Sequence, residues 1–274
     1  MERYPKYLYH YTTIESLAMI LKSKKIKFNP LTAMDDPQEQ LVKDASNYGK
    51  YVFISSWIDE SRESIAMWKL YSDFKCGVRI KLPLNPFKAY VIPSAQIERV
   101  IPGVKLGEKV CISIIPINEF IDKDYFLINF FYDKIVERVK YNDEIDALIP
   151  NILKQNGKNI KIASAEVGKY KNTYWDFQNE VRYILRFLPV NLKNMHINGE
   201  KTGDGVLKRI IFPDEQFKLK NYFLEIADSA WNEMEITLSP MITPGYQECV
   251  YALKEKYNKS MIIKPSLLEQ LIKQ

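Results

Sequence analysis

Histidine is scarce in this chain. Its 274 residues contain two, His10 and His196. A histidine-rich metal centre is therefore excluded by count, and any mechanism that needs an imidazole must use one of this pair. Cysteine is almost as rare. Cys76, Cys111 and Cys249 are an odd number at wide spacing, which fits neither a disulfide framework nor a zinc knuckle, so three reduced and mostly buried thiols are expected. No apolar run approaches the roughly 20 residues that cross a bilayer. The opening Met1-Glu2-Arg3-Tyr4-Pro5 lacks the apolar core of a secretory signal. These absences predict a soluble, cytoplasmic protein with no membrane partner. Walker A, Gly-x-Gly-x-x-Gly and Gly-x-Ser-x-Gly sequences are also missing, which removes most support for P-loop nucleotide hydrolysis, Rossmann dehydrogenation and α/β-hydrolase chemistry. There is no repeat of fixed period, no low-complexity tract and no linker-like segment.

What remains is a chain that is 46% hydrophobic, with a net charge of +5 and a pI near 8.8. The basic residues are spread along its length, so a polyanionic partner is permitted but not demanded. The clearest local signal is Leu8 to Lys22: a short strand ending in His10, then a helix capped by Thr12. Glu15 completes a Thr-x-x-Glu box, and Ile14, Leu17, Ala18 and Leu21 form an apolar stripe. A strand is expected at Ile26 to Phe28, an ordered loop around Asn29-Pro30 and Asp35-Asp36-Pro37, and a buried strand from Tyr51 to Trp57. Ser61 is expected to cap a helix over roughly 62 to 72, followed by a strand from Cys76 to Leu82. Further on, the pattern predicts a strand at Val110 to Ile115 and helices at Glu119 to Val139 and Asp143 to Lys154. Strands follow at Glu180 to Phe187 and Val206 to Phe212, separated by a loop carrying Asn198-Gly199 and Gly203-Asp204-Gly205. The tail predicts a helix at Gln216 to Ala230, a strand at Met234 to Leu238, a helix at Gly245 to Tyr257, a strand at Met261 to Lys264 and a short final helix. The simplest organisation is one α+β domain over residues 1–274 with a helical insertion at about 86–171.

Two places could carry chemistry. His10 sits where a strand meets a helix N-terminus, a position from which a side chain often faces a cleft; the plain alternative is a satisfied histidine that orients the turn. In Trp175-Asp176-Phe177-Gln178-Asn179-Glu180-Val181-Arg182, an extended backbone puts Gln178, Glu180 and Arg182 on one strand face. The plain alternative there is an ordinary Glu-Arg pair. Trp68 and Tyr71, three apart on a helix, could form a stacking wall for a flat ring, although aromatics at that spacing are more often core.

With these residues in view, the chain resembles a bacterial family, the domain of unknown function numbered 2971. The resemblance runs through Tyr9-His10-Tyr11-Thr12, Asp35-Asp36-Pro37-Gln38-Glu39, Phe53-Ile54-Ser55, Met67-Trp68-Lys69-Leu70-Tyr71 and Trp175 to Arg182. It departs from the family pattern at Phe177, usually tyrosine, and at Gln178, usually glutamate. The opening strand and helix are also similar to those of ADP-ribosyltransferase-like folds. That likeness implies a mixed, mainly antiparallel sheet and NAD as substrate, with His10 on a ribose hydroxyl, Glu180 at the nicotinamide ribose and Tyr71 or Trp68 against nicotinamide. The implied catalytic residues are Glu180 and His10. The implied cofactor-binding residues are His10, Tyr11, Thr12, Trp68, Tyr71, Gln178 and Arg182, with no metal. A carboxylate near the ribose would stabilise the oxocarbenium-like transition state of nicotinamide loss. The resemblance thus implies an ADP-ribosyltransferase-like protein acting on an unknown protein or nucleic-acid acceptor, in a toxin or phage-defence setting. Its rival is a non-catalytic nucleotide- or nucleic-acid-binding module. In a third reading Trp175, Glu180 and Arg182 are a buried framework.

Overall fold

The computed structural model describes residues 4–101, 104–120, 123–157, 159–192, 200–212, 214, 217–269 and 271–272. His196 and the Asn198-Gly199 turn lie outside the described residues. The first half contains β1 (Tyr7–Thr13), α1 (Ile14–Ser23), β2 (Lys25–Pro30), β3 (Val52–Ile58), α2 (Ile65–Tyr71), β4 (Gly77–Pro83), β5 (Tyr90–Pro93), α3 (Ser94–Val100) and β6 (Val110–Ser113). The middle holds β7 (Phe126–Leu127), β8 (Val136–Arg138), β9 (Lys140–Tyr141), α4 (Ile145–Leu148), β10 (Leu153–Asn156), β11 (Asn159–Ile162) and β12 (Tyr170–Lys171). The remainder is β13 (Glu180–Leu188), α5 (Glu200–Ile211), β14 (Tyr222–Glu225), α6 (Asp228–Asn232), β15 (Glu235–Leu238), α7 (Pro244–Tyr257) and β16 (Ile262–Lys264).

The protein is mixed α+β, built on a large, mostly antiparallel sheet. Its strand order is β14-β2-β3-β1-β4-β15-β16, with β15 and β16 parallel. β3 is the branch point. β13 runs along one of its sides from Glu180↔Ile58 to Arg186↔Val52. The other side is shared: β2 pairs at Asn29↔Ile54 and Pro30↔Phe53, and β1 pairs at Tyr9↔Ile58. Among the described residues Ser55, Ser56 and Trp57 have no register partner there, so β1 and β2 splay apart and the sheet forks.

Residues directly opposite across antiparallel strands share a face. One face therefore carries Leu8, His10, Trp57, Ile80, Val181 and Tyr183, and the other Tyr9, Tyr11, Ser56, Ile58, Arg79, Glu180 and Arg182. Packing agrees. Leu8, Trp57, Ile80 and Tyr183 join the main core with Leu17 and Leu21 of α1, whereas Tyr9, Tyr11 and Ile58 form a separate cluster with Met67 and Trp68 of α2.

Several sequence expectations are corrected. β1 runs through His10 to Thr13, and Thr13, not Thr12, caps α1, its Oγ1 accepting from Ser16 N at 3.2 Å. α2 is capped by Ser64, not Ser61. The helix expected at Glu119 to Val139 is replaced by a 3-10 turn, β7 and β8; the run Phe126-Leu127-Ile128-Asn129-Phe130-Phe131 is aromatic and β-branched, which favours a pleated surface. Of the helix expected at Asp143 to Lys154, α4 alone forms, and the described residues of segment 86–171, expected as a helical insertion, are mainly short strands and turns with α3 and α4 between them. Val206 to Phe212, expected as a strand, lies largely in α5, which also takes up Gly203-Asp204-Gly205. Val206, Leu207, Ile210 and Ile211 fit the helical i, i+4 spacing as well as they fit a strand. Where a helix is expected at Gln216 to Ala230, the described residues form irregular chain, β14 and the start of α6, and beyond β16 the described chain forms turns, not a helix.

Candidate functional site

β13 begins at a sharp reversal. The 3-10 turn Thr173–Gln178 ends at Asn179, whose φ of 44° lies in the left-handed region that asparagine tolerates. That turn buries Gln178 and delivers Glu180 as the first strand residue, 4% exposed. A second turn supplies its neighbour: Asp36 accepts from Gln38 N at 2.9 Å, Pro37 fixes the backbone, and Glu39 is aimed inward.

Around Glu180 the structure assembles two carboxylates and two cations. Arg182, fully buried, grips Glu180 side-on, with Nε to Oε1 at 2.6 Å and Nη2 to Oε2 at 2.9 Å. Its Nη1 donates to the Gly168 carbonyl at 3.0 Å and pairs with Glu39. Lys171 Nζ reaches Glu180 Oε2 at 3.1 Å, Glu39 Oε1 at 3.3 Å and Gln178 Oε1 at 2.7 Å, and lies over the Trp175 ring at 4.9 Å from its centroid. Gln178 Nε2 donates to the Tyr71 hydroxyl. Burial alone would push the Glu180 carboxyl up. The charges of Arg182 and Lys171, with hydrogen bonds from Arg182 and the Ser56 hydroxyl, outweigh it and hold the group down at about 2. Burial likewise opposes the Arg182 charge, but Glu180 and Glu39 raise its pKa. Tyr71 is raised by burial and then by the nearby Asp35 and Glu180 carboxylates. Tyr141, whose hydroxyl accepts from Glu180 N at 2.9 Å, is pushed up to about 12, mainly by burial. The cluster is neutral as a whole, and both Glu180 oxygens are engaged.

His10 occupies the other face of the sheet. Its Nδ1 stands 2.8 Å from the Ser56 carbonyl, an acceptor, so Nδ1 carries the proton and Nε2 is an acceptor. Its ring packs 5.1 Å from that of Trp57. Burial depresses its pKa, partly offset by the Ser56 bond, which keeps the imidazole neutral. The side chain is half-buried beside the fork, and among the described residues no group bonds Nε2.

The structure therefore separates the two expected catalytic residues, with Ile58 opposite both Tyr9 and Glu180 and His10 one residue out of phase. Thr12 is buried on the His10 side, while Tyr11 lies on the Glu180 side, its hydroxyl accepting from Ser64 N at 2.9 Å. Trp68, expected as a stacking wall, is fully buried; it meets Tyr11 edge-on at 4.9 Å and donates to Glu63 at 2.9 Å, so its ring belongs to the core. Tyr71 is half-buried. Gln178 and Arg182 turn inward to Lys171 and Glu180. Sequence reasoning assigned no role to Glu39, Ser56 or Lys171. The Asp-Pro turn was the one local signal for Glu39, and Lys171 had none. Among the described residues no group of three or more His, Cys, Asp or Glu could hold a metal ion.

An NAD ribose clamped between His10 and Glu180 does not fit this geometry. One group lies on each face of a packed sheet, and the carboxylate is saturated by its own cations. No family model, no curated protein and no solved structure matches the chain.

Proposed function

We propose that the protein is a non-catalytic nucleotide-binding module in which His10 receives a hydroxyl of the ligand and the Glu180 cluster is the framework that fixes the sheet. The observation that carries this is the fixed tautomer of His10: Nδ1 is committed to the Ser56 carbonyl, which leaves Nε2 as a neutral acceptor beside the fork where β1 and β2 splay apart. A ribose hydroxyl is a donor of the right kind, and a neutral acceptor held in one orientation is suited to select it. The ADP-ribosyltransferase reading loses ground because its carboxylate has no free oxygen for a sugar. Thermal shift and calorimetry with NAD, ADP-ribose and ADP test the proposal. Saturable binding lost in His10→Phe and kept in Glu180→Gln supports it. Nicotinamide release from NAD by the wild type, abolished in folded Glu180→Gln, would overturn it in favour of the enzyme.

A further inference from the structure

Arg79 is a buried cation without an anion. It lies on β4, on the opposite face from His10, and is 6% exposed. Its guanidinium stacks over Tyr9 at 4.6 Å and Tyr11 at 5.8 Å from the ring centroids, and Nη1 donates to the Ser61 carbonyl at 3.0 Å. Nε is buried with no hydrogen-bond partner. No carboxylate among the described residues forms an ion pair with it. The buried carboxylate of the adjoining loop, Glu63, is committed elsewhere, accepting from Trp68 Nε1 at 2.9 Å, Ser266 Oγ at 2.6 Å and Leu267 N at 2.7 Å. Burying a charge is costly unless it is paired, and the two cation–π contacts offset part of that cost.

The comparison with Arg182 is direct. There the Nε and Nη2 edge holds both oxygens of Glu180. In Arg79 Nε makes no bond to a described residue, while the Tyr11 hydroxyl lies within hydrogen-bonding reach of the guanidinium. A guanidinium edge of this kind matches two oxygens of a carboxylate or a phosphoryl group. The surrounding charge favours the phosphoryl group. On the same face Lys81 and Lys264 share a single carboxylate, Glu235, at 3.4 and 2.6 Å. Lys6, near Tyr7, is offset by Glu233. Even against the nearby Glu63, whose partners are all neutral donors, Arg79 and the surplus lysine leave this stretch of sheet net positive, a field that draws an anion.

We propose that Arg79 anchors an oxyanion site for the phosphoryl group of a ligand, formed on the Tyr9 and Tyr11 rings and flanked by Lys81 and Lys264. The site is independent of the His10 reading. The test is thermal shift and calorimetry at constant ionic strength with inorganic phosphate, pyrophosphate, acetate and a short single-stranded oligonucleotide. The expected result is a saturable rise in melting temperature with phosphate or pyrophosphate, little with acetate, and none in Arg79→Gln. Arg79→Lys, which keeps the charge without the planar edge, should bind at least tenfold more weakly than wild type. If Arg79→Gln does not fold, Arg79→Lys together with Lys264→Ala, each folded by circular dichroism, carries the test. A response to the oligonucleotide and not to free phosphate would place the phosphoryl group on a nucleic acid. An equal response to acetate, an unchanged response in the Arg79 variants, or no response of wild type to any phosphoryl probe overturns the proposal.

Discussion

His10 and Glu180 both end on Ser56. The imidazole donates to its carbonyl at 2.8 Å from one face of the sheet, while the Ser56 hydroxyl supports the Glu180 carboxylate on the other. The two residues are coupled through one residue of β3, yet the strand between them keeps them from flanking a common sugar. In this arrangement Glu180 contributes by holding β13, Lys171 and the Glu39 turn together, and His10 is the group left with an unused valence.

Glu180→Gln should therefore be read first as a stability mutation. It removes one anion from a buried group that is otherwise balanced, leaving Arg182 and Lys171 with Glu39 alone. Breaking such a group by deleting one partner costs about 3–5 kcal/mol. Chemical denaturation should show a lower midpoint of that order, and ligand affinity per folded molecule should be unchanged. A variant as stable as wild type would show that the ion cluster does not hold the strand.

The same group sets an acid limb. Its carboxyl is depressed from the ordinary 4.5 to about 2 in the folded protein. A depressed carboxyl contributes stability that is fully present above the unfolded value and lost as pH falls through the folded one. Wild type should thus lose stability between roughly pH 4.5 and 2 more steeply than Glu180→Gln, measured by denaturant midpoints across that range. Parallel slopes would contradict the assignment.

What was legible in the sequence follows from how far each determinant reaches along the chain. β1, α1, β3, β4, β13 and α7 were readable because each carries its own periodicity and its own cap or turn within about ten residues. The face on which a strand residue lands is not local. His10 and Glu180 are separated by the pairing of Tyr9 and Glu180 with the same Ile58, and a shift of one residue would have reversed the outcome. Glu180 and Arg182 neutralise each other, so nothing in β13 itself signalled that Lys171 and Glu39 would join them. Phe126 to Phe131 and Val206 to Phe212 were misread because short runs of aromatic and branched residues satisfy helix and strand spacing alike.

Gly168 gives a test of how the cluster is held. Its φ of 82° lies where residues with a side chain are strained, and in that conformation its carbonyl meets Arg182 Nη1 at 3.0 Å. The added methyl of Gly168→Ala would find ordinary contacts, with Leu31 at 3.5 Å and Val52 at 3.6 Å. The backbone angle, not space, is therefore the obstacle. A loss of about 1–2 kcal/mol is expected, from the cost of a left-handed residue. It should be non-additive with Arg182→Met in a double-mutant cycle, because both changes remove the same carbonyl bond. Full additivity would show that the glycine serves the turn alone.

His10 couples both folding and ligand binding to protons. Burial holds its pKa below 6.5, so the folded protein resists protonation that the unfolded chain accepts. The stability this represents is present above pH 6.5 and lost as pH falls from there through the folded value. His10→Gln, which cannot titrate, should flatten the stability profile just below pH 6.5 and leave the lower limb, set by Glu180, in place. Ligand binding should follow the same group with a distinct signature. Protonating Nε2 converts the acceptor into a donor, so affinity for a ribose-bearing ligand should fall as wild type crosses the folded pKa, and His10→Gln should bind with no such pH dependence. Calorimetric titrations with ADP-ribose from pH 7.5 to 5 measure this. An affinity in wild type that stays flat through the pH at which its His10 imidazole is seen to protonate by NMR would remove His10 from the ligand site while leaving its role in the turn intact.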